Sequence, residues 1–199
     1  MLIACWSTKG GSGTTVVSAA LATVLADTSG REVLLADLGA DCPAVLGLPD
    51  PDGPGLSNWL TAGADVPAGA LRRLEVAGPG AVRVLPWGTA MVDAPDGGER
   101  LAAALAAEPR LVVVDCGPPG GSLGMALAAG AGLSLLVLRP CYIALRRALA
   151  APLRPSGVVL VEEPGRSLGR RDIEDVLGVP VRAQIPWDPA VARSVDAGL

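Results

Sequence analysis

The chain has no histidine, no phenylalanine, one tyrosine and a single lysine among its 199 residues. Each scarcity narrows what the protein can be. Without histidine, and with Cys5, Cys42, Cys116 and Cys141 scattered and forming no CxxC pair, ordinary Cys/His zinc sites have little to work with. The same scatter argues for a reducing, cytoplasmic setting rather than a disulfide framework, and Cys5 and Cys116, set in apolar runs, read as buried thiols. Lacking phenylalanine, the core has to be packed by Ala, Val and Leu. Basic charge is also short. A net charge of -4 and a pI near 4.8 argue against broad, non-specific DNA binding, which needs a basic surface, although a local patch around Arg166, Arg170 and Arg171 stays open. No stretch is long enough for a transmembrane segment, because Pro140, Arg146 and Arg147 interrupt the apolar C-terminal half. The run Leu2 to Trp6 is too short for a signal peptide and is followed at once by Lys9 and glycines.

Half of the residues are apolar, and the chain length suits one domain over 1–199 with a sizeable core. Short continuous apolar runs recur: Leu2 to Trp6, Glu32 to Ala36 ending at Asp37, Arg83 to Leu85, Leu111 to Asp115, Leu133 to Leu138, Val158 to Val161 and Val181 to Ile185. Helical patterns lie between them over Thr15 to Asp27, Leu56 to Thr61, Ala68 to Leu74, Gly98 to Glu108, Cys141 to Ala151 and Leu168 to Leu177, with a last one from Pro189. The proline-rich stretch Leu38 to Gly55 reads as a long loop. Apolar strands alternating with helices predict an α/β fold, a mostly parallel sheet with helices on both faces. Trp87, Trp187 and Tyr142 read as partial core, and Arg139, Arg146 and Arg147 as solvated.

The first strand runs into Thr8-Lys9-Gly10-Gly11-Ser12-Gly13-Thr14-Thr15 and then into a helix. Glycines in this context let backbone N–H groups point inward, and the new helix adds the positive end of its dipole; together they bind phosphate. Thr15 stands where a hydroxyl would coordinate Mg²⁺. The standard pattern G-x-x-x-x-G-K-[ST] is missed twice, at Thr8 for the first Gly and at Thr14 for the Lys. A dinucleotide fingerprint fits no better, since Val16 stands where its third Gly belongs. A plain strand-to-helix turn would not need three glycines around a hydroxyl-rich helix start. The only lysine of the chain, against fifteen arginines, falls inside this loop, where a compact ammonium suits a crowded phosphate better than a planar guanidinium.

Lys9, Gly10, Gly11, Gly13 and Thr15 resemble the deviant Walker A motif K-G-G-x-G-K-[ST] of the MinD/ParA family of P-loop NTPases, with Thr14 as the exception. The resemblance extends over most of the chain. Leu34 to Asp37 resembles the strand entering switch I, and Val112 to Pro119 the Walker B strand and switch II. Arg139-Pro140, the helix Ile143 to Arg147, and Ile185-Pro186-Trp187-Asp188 resemble later landmarks. It implies a three-layer fold that binds ATP and Mg²⁺, with Lys9, Gly10, Gly11, Ser12, Gly13, Thr14, Thr15 and Pro186 around the nucleotide. It implies further that Thr15 ligates Mg²⁺ and Asp115 holds it through water. Asp37 would lie beside the γ-phosphate, and Lys9 would reach across a homodimer to the partner's phosphates.

Three departures bear on activity. Thr14 replaces the phosphate-binding Lys, Gly39 stands where the family's catalytic Asp is usual, and Glu162 or Glu163 replaces an adenine-contacting Asn. Weak hydrolysis at best is the expectation. A small residue for the second lysine is similar to the CpaE/TadZ branch, which positions pilus and secretion machinery. Three functions follow as alternatives: a nucleotide-dependent dimerisation switch that places a protein partner, recruited to a pole or membrane site; a hydrolysis-dead pseudo-ATPase scaffold; or a metabolic enzyme on the same fold. The last lacks any further reactive cluster.

Overall fold

The computed structural model describes residues 1–63, 65–92, 97–117 and 121–197. Eight strands form one sheet: β1 (Leu2–Trp6), β2 (Val33–Asp37), β3 (Val76–Ala77), β4 (Val82–Leu85), β5 (Leu111–Asp115), β6 (Leu133–Leu138), β7 (Gly157–Val161) and β8 (Val181–Ile185). Their order is β3-β4-β2-β5-β1-β6-β7-β8, parallel throughout except for the antiparallel pair β3 and β4. Every residue of β1 and β2 is buried, and all but the first of β5 and β6. A parallel sheet covered on both faces has no side turned to water, so its strands are written as unbroken apolar runs rather than alternating ones. That is why those runs were legible as strands.

The pleat divides the same runs between two cores. Leu2, Ala4, Trp6, Leu34, Ala36, Val112, Val114 and Leu136 face one side, while Ile3, Cys5, Val33, Leu35, Val113 and Leu135 face the other. The second side is covered by α1 (Thr14–Ser29), which contributes Val17, Ala19, Ala22 and Ala26. Its small buried residues let the helix lie close to the sheet. Gly30, with φ 62°, ends it by donating its N–H to the Ala26 carbonyl at 3.0 Å. The first side carries α3 (Leu56–Thr61), α4 (Gly97–Ala106), α5 (Ser122–Gly130), α6 (Tyr142–Leu149) and α7 (Arg170–Leu177), with a 3-10 helix over Ala68–Leu74. Two shorter elements complete the description, α2 (Cys42–Val45) and α8 (Pro189–Asp196). Among the described residues no helix is long and apolar enough to cross a membrane.

Three elements differ from the sequence reading. Helix α5 was not expected, since its glycines weaken local helix propensity. Its place is set by packing instead: a Cβ added at Gly98 of α4 would sit 2.7 Å from the Ala126 Cβ, and one at Gly124 3.2 Å from the Cys116 carbonyl. Close contact between α4 and α5 thus demands small residues that a propensity argument counts against them. Helix α2 interrupts the predicted loop Leu38 to Gly55, and β3 is a two-residue edge strand that only its partner defines.

The aromatic side chains also sort differently. Trp87 is half-buried, but Tyr142 is 71% exposed and Trp187 42% exposed, so neither belongs to the core. Arg139 is half-buried rather than solvated, with its guanidinium 5.2 Å from the Trp187 ring centre. Arg146 and Arg147 are exposed as expected.

Candidate functional site

Parallel strands deliver their C-terminal ends to one edge of the sheet, and here three of those ends converge. Asp37 closes β2 and Asp115 closes β5, facing each other in register, and Cys5 of β1 pairs with Asp115 from the other side. The loop after β1 therefore starts beside both aspartates. Its Ser7 N–H donates to the Gly117 carbonyl at 3.1 Å, which ties it to the segment after β5. The Thr8 hydroxyl, at the position of the missing first glycine, donates to the Ala144 carbonyl of α6 at 3.0 Å.

Within the loop the Lys9 carbonyl accepts from the hydroxyls of Ser7 (3.0 Å) and Ser12 (3.1 Å), folding the chain into a tight turn. Gly11 (φ 74°) and Gly13 (φ 87°) take the left-handed conformation that glycine alone adopts freely. A Cβ built on Gly10, Gly11 or Gly13 would meet nothing within 4 Å, so the loop stands open around these residues. Helix α1 follows directly, and no side chain caps its N-terminus. No side chain satisfies its first N–H groups, and the positive end of the dipole stands behind them, the arrangement that binds an anion.

The side chains of the motif separate. Thr14 is buried (6% exposed), Thr15 and Lys9 are half-exposed, and Ser12 is buried. A buried threonine thus stands where the usual motif sends a lysine toward phosphate. Lys9 lies close enough to Cys141 and Glu163 that its charge contributes to holding both below their ordinary pKa. For Cys141 the larger cause is the amide of Ala144, with that of Ile143, at the start of α6, and for Glu163 it is the bond to Arg166.

Asp37 and Asp115 are both 0% exposed. Asp37 Oδ1 accepts the N–H groups of Gly39 and Ala40, and its Oδ2 that of Cys42, each at 2.9 Å. Ala40 holds φ 65° to complete this turn. Asp115 Oδ1 accepts the Gly117 N–H at 3.0 Å, and Oδ2 lies 3.7 Å from Cys42 Sγ. Neither carboxylate has a basic side chain within 4 Å among the described residues. Burial pushes Asp37 up to about 6, opposed by the Cys42 amide and reinforced by the charge of Asp115. Asp115 is raised as well, again by burial, with the neighbouring Thr15 hydroxyl and the Gly117 amide favouring the charged form. Two buried, adjacent carboxylates without a counter-charge are a site that a cation would stabilise. The residues therefore fit a divalent ion beside the phosphate loop.

Gly39 sharpens the picture. A Cβ there would lie 3.6 Å from Asp115 Oδ2 and 3.7 Å from Asp37 Oδ1. The place of the absent switch I aspartate thus faces the two carboxylates, whereas Asp41 is exposed. Pro118, Pro119 and Gly120, the centre of the expected switch II, lie outside the described residues.

A cleft of about 410 Å³ opens at the ends of β6, β7 and β8, lined by Pro140, Glu162, Glu163, Arg166, Pro186 and Trp187 among others. It brings Pro186 together with both glutamates that stand for the expected Asn. Glu162 Oε1 accepts from Gln184 Nε2 at 2.7 Å, and Glu163 Oε2 pairs with Arg166 at 2.7 Å. Nothing in the sequence singled out Arg166 for this cleft, or Cys42 for the paired carboxylates, since its position five residues after Asp37 matches no ligand spacing.

The CbiA family, described as the CobQ/CobB/MinD/ParA nucleotide binding domain, matches residues 3–199. No curated protein sequence matches the chain. Among solved structures, the cell division ATPase MinD of Pyrococcus furiosus is similar at 29% identity, with a TM-score of 0.80 over 100% of this chain and 88% of that one. The septum site-determining protein MinD of Pyrococcus horikoshii OT3, complexed with Mg-ADP, shares 25% identity with a TM-score of 0.78 over 100% and 86%. The MinC:MinD cell division complex of Aquifex aeolicus, at 22% identity and a TM-score of 0.80 over 99% and 85%, shows the same fold. The chain belongs to the CobQ/CobB/MinD/ParA nucleotide-binding family, and its fold is that of the MinD/ParA P-loop ATPases.

Proposed function

We propose that this family member works over residues 1–199 as one ATP-binding domain, whose occupancy drives a two-fold dimer and so positions a protein partner. The observation that carries the reading is the open glycine loop at an uncapped helix start, set beside two buried carboxylates that lack a counter-charge. In this reading the backbone of Gly10 to Thr14 holds the phosphates, Thr15 and Asp115 hold Mg²⁺, and Asp37 orients the γ-phosphate end of the site. Mg²⁺, when bound, supplies the positive charge that lets phosphate oxygens and the two carboxylates share one space. Lys9 acts across the dimer in place of the cation lost at Thr14, and the cleft with Pro186, Glu162 and Glu163 receives the base. The solved MinC:MinD complex shows a relative assembled with a protein partner, which motivates a partner-directed role here. We place the chain in the cytoplasm, recruited to a pole or membrane site by that partner, and nearest in its loop to the CpaE/TadZ branch.

Hydrolysis is slow in this reading, because Thr14 supplies no charge and Gly39 no carboxylate to position water. The same two residues favour a second reading, a scaffold that binds nucleotide without turnover. Light-scattering mass with Mg²⁺ and ATP, ADP or no nucleotide, alongside phosphate release, separates the two. A dimer specific to ATP supports the switch, and the release rate distinguishes slow from absent turnover. A mass indifferent to nucleotide together with no binding rejects both. Lys9→Ala should lose the ATP-dependent dimer; equal dimerisation of that variant would sink the trans role. The double change Thr14→Lys and Gly39→Asp should raise phosphate release at least tenfold, worth about 1.4 kcal/mol of barrier.

A further inference from the structure

The paired carboxylates have a third donor beside them that nucleotide binding leaves unused. Cys42 is 0% exposed, its N–H anchors Asp37 Oδ2 at 2.9 Å, and its Sγ lies 3.7 Å from Asp115 Oδ2. One donor atom each from Asp37, Cys42 and Asp115 falls within 4.8 Å of the other two. Buried cysteines are common as small apolar fillers, but such a thiol rests on hydrocarbon. This one lies 3.7 Å from a carboxylate oxygen, beside two buried acidic groups that have no basic partner among the described residues.

The chemistry of the set discriminates among cations. Mg²⁺ demands hard oxygen ligands in octahedral geometry and gains nothing from a sulfur. Zinc and cobalt accept mixed sulfur and oxygen donors in a tetrahedron, with a sulfur at about 2.3 Å and an oxygen at about 2.0 Å. Those bonds separate the two donors by roughly 3.5 Å, close to the 3.7 Å already present between Cys42 and Asp115. The fourth position falls to water. We infer that Asp37, Cys42 and Asp115 form a site for a thiophilic divalent cation of the zinc–cobalt class, filled without nucleotide and competing with Mg²⁺–nucleotide for Asp115. Binding exchanges the S–H bond of Cys42 for a metal–sulfur bond and releases that proton to solvent, with no change of oxidation state. The inference shares Asp115 with the proposed nucleotide site but does not require nucleotide, so either can fail while the other stands.

The test is titration of Co²⁺ into the reduced, nucleotide-free chain, followed through the near-ultraviolet thiolate-to-cobalt charge-transfer absorption. The expected result is a band saturating at one equivalent, bleached by Zn²⁺, retained in Cys141→Ser and lost in Cys42→Ser. No band, or one lost in Cys141→Ser and retained in Cys42→Ser, overturns it. Should Cys42→Ser fail to fold, X-ray absorption decides on the zinc-loaded chain carrying Cys5→Ala, Cys116→Ala and Cys141→Ser, where Cys42 is the one cysteine left: one sulfur in the metal shell upholds the site, and a shell of oxygen and nitrogen alone rejects it. Mg²⁺–ATP binding by the same preparation reports separately on the nucleotide reading.

Discussion

The two ends of the central strands treat charge in opposite ways. Where β5 begins, Arg110 makes a bidentate pair with Glu75, at 2.6 and 3.0 Å, and a 2.7 Å bond to Glu108, while Arg83 and Glu32 stand nearby. Where the same strand ends, Asp115 sits beside Asp37 with backbone amides, a thiol and the Thr15 hydroxyl as partners, and with no basic side chain among the described residues. Both ends remove acidic groups from water. At the first, the ion pairing holds Glu108 below its ordinary range and Arg110 above its own; at the second, burial drives both aspartates upward. A cluster that is complete in itself serves the fold. One that carries surplus negative charge in the interior is held there by the rest of the structure, and it is the end with an open phosphate loop beside it.

The largest expected effect comes from breaking the complete end. Arg110→Met keeps the aliphatic stem but leaves Glu75 buried without its bidentate partner. We expect a loss of roughly 3 kcal/mol in urea unfolding, at the lower end for a buried pair because Arg83 stays within reach of Glu75. A loss below about 1 kcal/mol would mean that this network behaves as a surface one. At the other end the effect depends on pH. Asp37 keeps its proton in the folded chain up to about 6 but loses it near 3.8 when unfolded. The stability it contributes is therefore present at low pH and falls by about 3 kcal/mol as pH rises through that window. In the nucleotide-free protein Asp37→Asn should remove the share of this slope that Asp37 carries and leave that of Asp115, although it forfeits an acceptor for one backbone amide. Mg²⁺ with ATP should flatten the slope in the parent chain, since a bound cation favours the charged form. An identical slope in parent and variant would contradict the assignment.

Smaller still is Thr15→Ala. The hydroxyl beside Asp115 favours its charged form, so removing it should move the Asp115 titration to higher pH, measurable from carboxyl chemical shifts. At the bottom of the scale is Arg170→Ala, which breaks an exposed i,i+4 pair with Glu174 at 3.1 Å. It should leave the unfolding midpoint unchanged within error, as a control for charge changes outside either cluster.

Much of this was written locally and could be read as such. The runs that became β1, β2, β5 and β6 need no partner to be recognised, because burial on both faces removes polar residues from the strand itself. The loop from Lys9 to Thr15 was equally legible, since glycines with positive φ and a hydroxyl at a helix start leave their mark in consecutive positions. Asp37 and Asp115 could be chosen because each ends such a run. Contacts made across long separations left no such mark. Cys42 meets Asp115 from 73 positions away, and Arg110 meets Glu75 from 35. Helix α5 was hidden for a related reason, since its glycines answer to α4 and Cys116 rather than to helix propensity.

The sequence by itself thus determined the fold class, every strand but β3 and the glycine loop after β1, because these follow from periodicity and from the backbone freedom of neighbouring residues. Only the tertiary structure decided that Thr14 is buried and that Gly39 opens onto two carboxylates. It also decided that Glu162, Glu163 and Pro186 share one cleft and that a thiol completes the buried pair. Side-chain direction and counter-charge are properties of what packs alongside, and the order of residues along the chain does not carry them.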